Sequence, residues 1–244
     1  MSGARAYRER IYARYVEAAG AEVAPATLAG LAPRLPHLTR LVREHFPQAR
    51  NAAILDLGCG HGALLHVARS LGYENIGGID GSPSQVAAAH RLGIEGVREG
   101  DIFVTAAALP PASVDAVVCF DVIEHLDRDE IVRLTDSVFA ALKPGGRWIL
   151  HVPNGASPFA GAALYGDFTH ELAFTTESLT QLALASGFRS ARFEEDSPIG
   201  RGLRGAVRRV LWATIRALLQ LYLRAETGAG QKVLTQNFLA VLTK

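Results

Sequence analysis

Cross-linking capacity is almost absent: two cysteines, Cys59 and Cys119, in 244 residues cannot build a disulfide framework and read as small core residues. Charge of one sign is lacking as well. Twenty-five Lys and Arg stand against 24 Asp and Glu, for a formal charge of +1, so no overall field draws a polyanion and nucleic-acid wrapping is not expected. No run of ~18 uncharged apolar residues occurs, which argues against a spanning helix. The opening MSGARAYRERIYARY has no apolar stretch of the kind that directs secretion. Repeats and low-complexity tracts are missing too. Together these absences point to a reducing, cytoplasmic location. What is present is an apolar fraction of 49% against 20% charged, enough to bury a sizeable core.

The pattern divides the chain into a helical cap over 1–50 and a larger domain over 51–244. Residues 4–17 place Tyr7, Ile11 and Tyr15 on one helical stripe with Tyr12 beside it. Pro25, Pro33 and Pro36 then break the chain, and 37–46 reads as a short helix stopped by Pro47. From residue 52 strands and helices alternate. Strands are expected at 52–57, 75–79, 114–120, 147–152, 189–194 and 237–242. Helices are expected to about residue 71, from Ser82-Pro83 to residue 92, through residue 142, and over 175–187. This alternation predicts an α/β fold, an open and mostly parallel sheet with helices on both faces. An insertion over 196–236 precedes the last strand. Its centre, 203–224, is a helix with an unusually wide apolar face, and Arg201, Arg204, Arg208 and Arg209 load its entry. Such a helix suits a membrane surface or a partner, a homodimer included; the alternative is that it closes over the sheet.

Ile54-Leu55-Asp56-Leu57-Gly58-Cys59-Gly60-His61-Gly62 runs a strand into three alternate glycines and then a helix. Missing Cβ atoms let a ligand lie on the backbone, and the helix start offers unpaired N–H groups to an anion. The spacing departs from the dinucleotide fingerprint G-x-G-x-x-G, which disfavours a nicotinamide-dependent oxidoreductase. Asp80, 22 residues after Gly58, ends the second strand, where two carboxylate oxygens match a vicinal diol. Alternatively, this is a tight turn with an ordinary capping Asp. Further on, Gly100-Asp101-Ile102 follows the third strand, and 114–126 is a buried strand ending in acids.

In combination these motifs resemble the class I S-adenosylmethionine-dependent methyltransferases over residues 52 to about 152. The resemblance implies a Rossmann-like, doubly wound sheet with a reversed last strand, at 237–242. It implies Asp56, Gly58, Gly60 and Gly62 around the methionine part of the cofactor, with Cys59 as a space-filler beside it. Asp80 with Gly81 would meet the ribose, Asp101 and Ile102 the adenine, and Asp121 with Val122 the sulfonium. Later segments, Tyr165-Gly166-Asp167-Phe168-Thr169-His170-Glu171, Glu226-Thr227-Gly228 and Thr235-Gln236-Asn237-Phe238, are similar to methyltransferases of bacterial surface-polysaccharide and glycan clusters. That second resemblance implies O-methylation of a sugar or lipid-linked glycan acceptor in polysaccharide biosynthesis. A quinone-type phenol or an amine is the alternative acceptor, and RNA 2′-O-methylation a more remote one.

Methyl transfer is an in-line displacement whose leaving thioether needs no protonation, so alignment supplies much of the catalysis. A hydroxyl acceptor also needs a base or metal to remove its proton. Asp121, Glu124 and His125 follow the fourth strand, spaced so that one helical turn would aim them similarly. Asp167, His170 and Glu171 lie after the fifth. In one reading His170, or His125, is a general base. In another, Asp121, Glu124, His125 and His170 bind one Mg²⁺ or Mn²⁺ ion that grips two acceptor oxygens. That set is similar to the ligands of plant small-RNA 2′-O-methyltransferases, and its Asp-x-x-Glu-His half resembles ubiquinone-pathway O-methyltransferases. The structural alternative has Glu124 and His125 anchoring the next helix and His170 capping the helix near Thr175. His61 and His66 read as bystanders, and His151 as core or as a pocket edge.

Overall fold

The computed structural model describes Tyr7, Ile11, residues 24–199 and 202–244. The helix expected over 4–17 therefore lies mostly outside the described residues, although Tyr7 and Ile11 are helical. Among the described residues the first full helix, α1 (Leu35–His45), carries Pro36 in its first turn and stops before Pro47. From there the chain runs β1 (Ile54–Leu57), α2 (Ala63–Ser70), β2 (Ile76–Asp80), α3 (Pro83–Arg91), β3 (Val97–Glu99), α4 (Ile102–Ala108) and β4 (Val114–Phe120). It continues through α5 (Arg128–Ala141), β5 (Leu142–Pro153), α6 (Ala160–Leu164), α7 (Thr176–Ala185), β6 (Ser190–Glu195), α8 (Gly202–Thr227) and β7 (Asn237–Thr243).

The strands form one sheet in the order β3-β2-β1-β4-β5-β7-β6. β7 lies antiparallel between β5 and β6, and every other pairing is parallel. This is the expected open α/β sheet with a reversed last strand. Both faces are covered, and alternate residues serve opposite faces. Leu55, Val117, Cys119, Trp148 and Leu150 join the cluster beneath α5 and α7. Ile54, Ala116, Val118, Ile149 and Leu239 join the other, which also takes Leu38, Leu41 and Val42 of α1.

Several elements start where side chains satisfy the first N–H groups. Ser82 accepts from Gln85 N ahead of Pro83, and Asp127 with Glu130 forms a capping box on α5. Thr175, not His170, caps α7. Asp101 caps α4, its Oδ1 accepting from Phe103 and Val104. That helix is not expected from periodicity, because seven residues are too few to show one. β5 also starts earlier than expected, since Leu142 pairs with Val114 ahead of an irregularity in register. After β1 the chain goes to β2 on one side, and β4 pairs on the other. The carboxyl ends of β1 and β4 thus flank a crevice of the kind that binds ligands in such sheets.

Candidate active site

At the carboxyl end of β1, Gly58, Gly60 and Gly62 all have positive φ, at 75°, 56° and 79°. Side chains are excluded at two of them by neighbours. A Cβ on Gly58 would sit 2.5 Å from Val122, and one on Gly62 2.6 Å from Val97. Gly60 and Gly81 are less crowded: the nearest atoms to an added Cβ, on Gln85 and on the Gly100 carbonyl, lie at 3.6 and 3.9 Å, ordinary contact distances. Asp80 ends β2 and holds this loop. Its Oδ2 accepts from Gly60 N at 2.7 Å and its Oδ1 from Ser82 N at 2.9 Å. The carboxylate expected to meet a diol is therefore also the brace of the glycine turn. Asp56 is buried beneath the loop, and its Oδ1 has no hydrogen-bond partner. Burial, then the charge of Asp80, pushes its carboxyl up to about 7. Cys59 packs where a Cβ on Gly78 would stand, and burial raises its thiol far out of the reactive range. His61 is buried against Gln85. Ile102 is half-buried beside the exposed Asp101.

At the end of β4 the chain does not make the single helical turn that the spacing suggests. Asp121 adopts a left-handed φ of 56°, and only Ile123–His125 forms a short 3-10 turn. A non-glycine residue held there costs about 1–3 kcal/mol, and the bonds around Asp121 show what holds it. Its N–H donates to His151 O, and its Oδ1 accepts from His151 Nδ1 at 2.5 Å. Asp121 is thus turned toward β5 and is not aimed with Glu124 and His125. His151, expected as core or as a pocket edge, is buried but carries more than packing contacts. It stacks on Phe120 with ring centroids 4.1 Å apart, and its Nε2 lies 3.5 Å from Asp196, which also pairs with His37 at 3.0 Å. Burial alone would depress His151, but the two carboxylates outweigh it and push the imidazole up to about 9. Asp196 is correspondingly held below the usual carboxylate range. No local motif announces Asp196 or His37, because β6 and α1 bring them in from distant parts of the chain.

Glu124, His125 and His170 do come together, their ligand atoms all within 4.8 Å of one another. The loop bearing His170 is pinned to the β4 turn because Glu171 N and Leu172 N both donate to Glu124 O. His125 Nδ1 lies 2.8 Å from Thr169 Oγ1, and that hydroxyl donates onward to Asp167 at 2.6 Å. Thr169 can then only accept from His125, so Nδ1 carries the proton and Nε2 the lone pair. His170 Nδ1 meets the carbonyl of Ala163 at 2.9 Å, which fixes the same tautomer. Burial and the neighbouring His170 lower His125 to about 4, so it stays neutral. Glu124 is 1% exposed with Oε2 unpartnered, and burial, then Asp121, pushes it up to about 8. Two imidazoles with fixed Nδ1–H partners and a carboxylate oxygen lacking a donor could hold a divalent cation. Asp121, expected as a fourth ligand, is not in this group. In the chain leading up to His170, Phe159, Tyr165 and Phe168 are exposed. Tyr7 donates to Glu171 and stands edge-on to Phe168.

A family model described as a methyltransferase domain matches residues 31–191. The ubiquinone biosynthesis O-methyltransferase of Xanthomonas campestris pv. campestris is 33% identical over 139 residues, 53% of this chain and 56% of that protein. The chain thus spans about half the length of the curated relatives it matches. Among solved structures, a SAM-dependent methyltransferase from Archaeoglobus fulgidus superposes with TM-score 0.64 at 21% identity, covering 86% of this chain and 94% of that one. Phosphoethanolamine N-methyltransferase 2 of Haemonchus contortus, solved with S-adenosyl-L-methionine, gives 0.58 at 16% identity over 86% of this chain and 52% of that one.

Proposed function

The chain belongs to the methyltransferase-domain family, and from that premise we propose that it O-methylates a small phenolic acceptor of quinone type. S-adenosylmethionine would be the donor, with a divalent cation held by Glu124, His125 and His170. The observation that carries the acceptor half of this reading is the Glu124–His125–His170 cluster. The relative named for ubiquinone biosynthesis supports a phenol over the sugar hydroxyl suggested by the late-chain motifs. Chemistry supports it too, because a phenol ionises near pH ~10, far more readily than a sugar hydroxyl.

The donor supplies a methyl group on a cationic sulfur. An added side-chain carbon at Gly60 or Gly81 would meet nothing closer than 3.6 Å, so the backbone there is uncrowded, and the unpartnered Asp56 Oδ1 suits an ammonium group. A cation supplies Lewis acidity that lowers the acceptor pKa. For their part, His125 and His170 present Nε2 lone pairs, held by Thr169 and by the Ala163 carbonyl. Glu124 would supply the anionic ligand, giving up its proton on binding a cation. His151 fixes the Asp121 carboxylate at the end of β4. The exposed rings of Phe159, Tyr165 and Phe168 offer apolar surface to an aromatic acceptor.

The test is methylation of a catechol by the full chain. Chelation with EDTA should abolish product and Mn²⁺ or Mg²⁺ should restore it. Glu124→Gln should cut turnover by at least about tenfold, a loss of ~1.4 kcal/mol in barrier lowering, while affinity for S-adenosylmethionine stays unchanged. Full activity in EDTA removes the cation from the reading. A catechol left unmethylated beside a methylated glycan extract overturns the phenol.

A further inference from the structure

We propose that α8 lies flat on an anionic bilayer surface. Of its 26 residues only Gly205 is buried, although the helix is rich in large apolar side chains. Leu203, Val207, Val210, Leu211, Leu218 and Leu221 are each between 49% and 82% exposed. Five of the six fall on one stripe at spacings of three, four and eight, and Leu211 sits beside it. The rotation of the helix is fixed from the other side. Arg216 Nε donates to both carboxylate oxygens of Glu195, its Nη2 to Lys232 O, and Gln220 to Gln231 O. The apolar stripe therefore points away from the sheet.

Charge identifies the occupant. The helix carries five Arg and one acid, Glu226. Arg204 and Arg208 flank one edge of the stripe and Arg224 the other, where long stems reach past an apolar face to anionic headgroups. An apolar stripe between basic margins is the pattern of a helix buried to its midline in the headgroup region. A second copy would meet the same surplus of Arg and supply one Glu against it. No described helix is long and apolar enough to cross a membrane, so this one lies on the surface. Its position has a use. The chain leaves β6 and re-enters β7 at the carboxyl edge of the sheet, where Asn237 pairs with Pro153, so α8 belongs to the edge that carries the candidate site.

Flotation of the full chain with vesicles tests this. At low salt the protein should rise with vesicles of equal phosphatidylglycerol and phosphatidylcholine, and more than tenfold less with phosphatidylcholine alone. Leu211→Glu with Leu218→Glu should stay at the bottom of the gradient with an unchanged melting temperature, since both side chains are exposed. Arg204→Glu with Arg208→Glu should lose most binding to the anionic vesicles. A wild type that never floats overturns the proposal. So does a wild type that elutes as a dimer broken by the leucine pair while neither protein floats, which gives the face to a second copy. The readout is binding, so it stands or falls apart from the choice of acceptor.

Discussion

Glu124 and Asp56 are acids enclosed by the fold, and each has an oxygen that no donor reaches. Their folded pKa values, about 8 and about 7, lie above those of the unfolded chain, so the folded state holds these protons more tightly. The stability they contribute is complete below the ordinary carboxylate range and is lost as pH rises through about 7 to 8. In metal-free buffer the melting temperature should therefore fall as pH climbs across that window, and Glu124→Gln should flatten part of the slope. Adding Mn²⁺ at the alkaline end should restore stability to the wild type and not to Glu124→Gln; calorimetry reads both. Asp80 carries a second residue-scale prediction. Because it accepts from Gly60 N and Ser82 N, Asp80→Ala should lower stability by about 1–3 kcal/mol as well as weaken cofactor binding. Denaturant unfolding of the ligand-free protein separates the two effects. Sequence alone marked Asp80 by its place after a strand, but its bonds to the glycine turn depend on a φ at Gly60 that no motif reports.

Elements were legible where their signals were local. Ser82-Pro83 opens α3, Pro36 and Pro47 bracket α1, and the apolar run over β4 reads as a strand covered on both faces. Asp127 and Glu130 show how much such a signal contributes: both halves of the capping box are present on α5. Asp127→Ala should lower stability by about 1 kcal/mol and leave cofactor affinity alone, as thermal melts and titration can check. The turn after β4 was not legible. Residue spacing there suggested a helix carrying Asp121, Glu124 and His125 together, whereas a left-handed Asp121 sends one acid to His151 and leaves the others facing His170. A left-handed φ at a non-glycine residue is imposed by tertiary bonds, and no pattern in 121–125 contains His151 or Asp196. The helix between β6 and β7 was legible by its apolar excess, because 26 residues give enough turns for a stripe to show, although it runs over Gly202–Thr227 and not 203–224.

On the scale of the molecule, the candidate site is made by long-range closure. Glu124 is joined to the loop of Glu171, Asp121 to β5, and Asp196 of the segment after β6 to His37 of α1. The reversed strand has a consequence for the order in which all this assembles. Among the described strands β6 pairs only with β7, and β7 is also the partner on the open side of β5. Residues 196–236, α8 included, separate the two strands in the chain, so β6 has no ladder to join until that whole excursion has been spanned. A nascent or refolding molecule would first complete β1 to β5, with the edge of β5 bare and β6 waiting. β7 then acts as a keystone, seating two edges in a single step. Hydrogen exchange should find the amides of β6 and β7 opening together, ahead of those in β1 and β4. Protection of β6 that outlasts β7 would contradict that order of assembly. Until the keystone is in place, Asp196 has no fixed position from which to face His151, so the charge network at the site is among the last features to form.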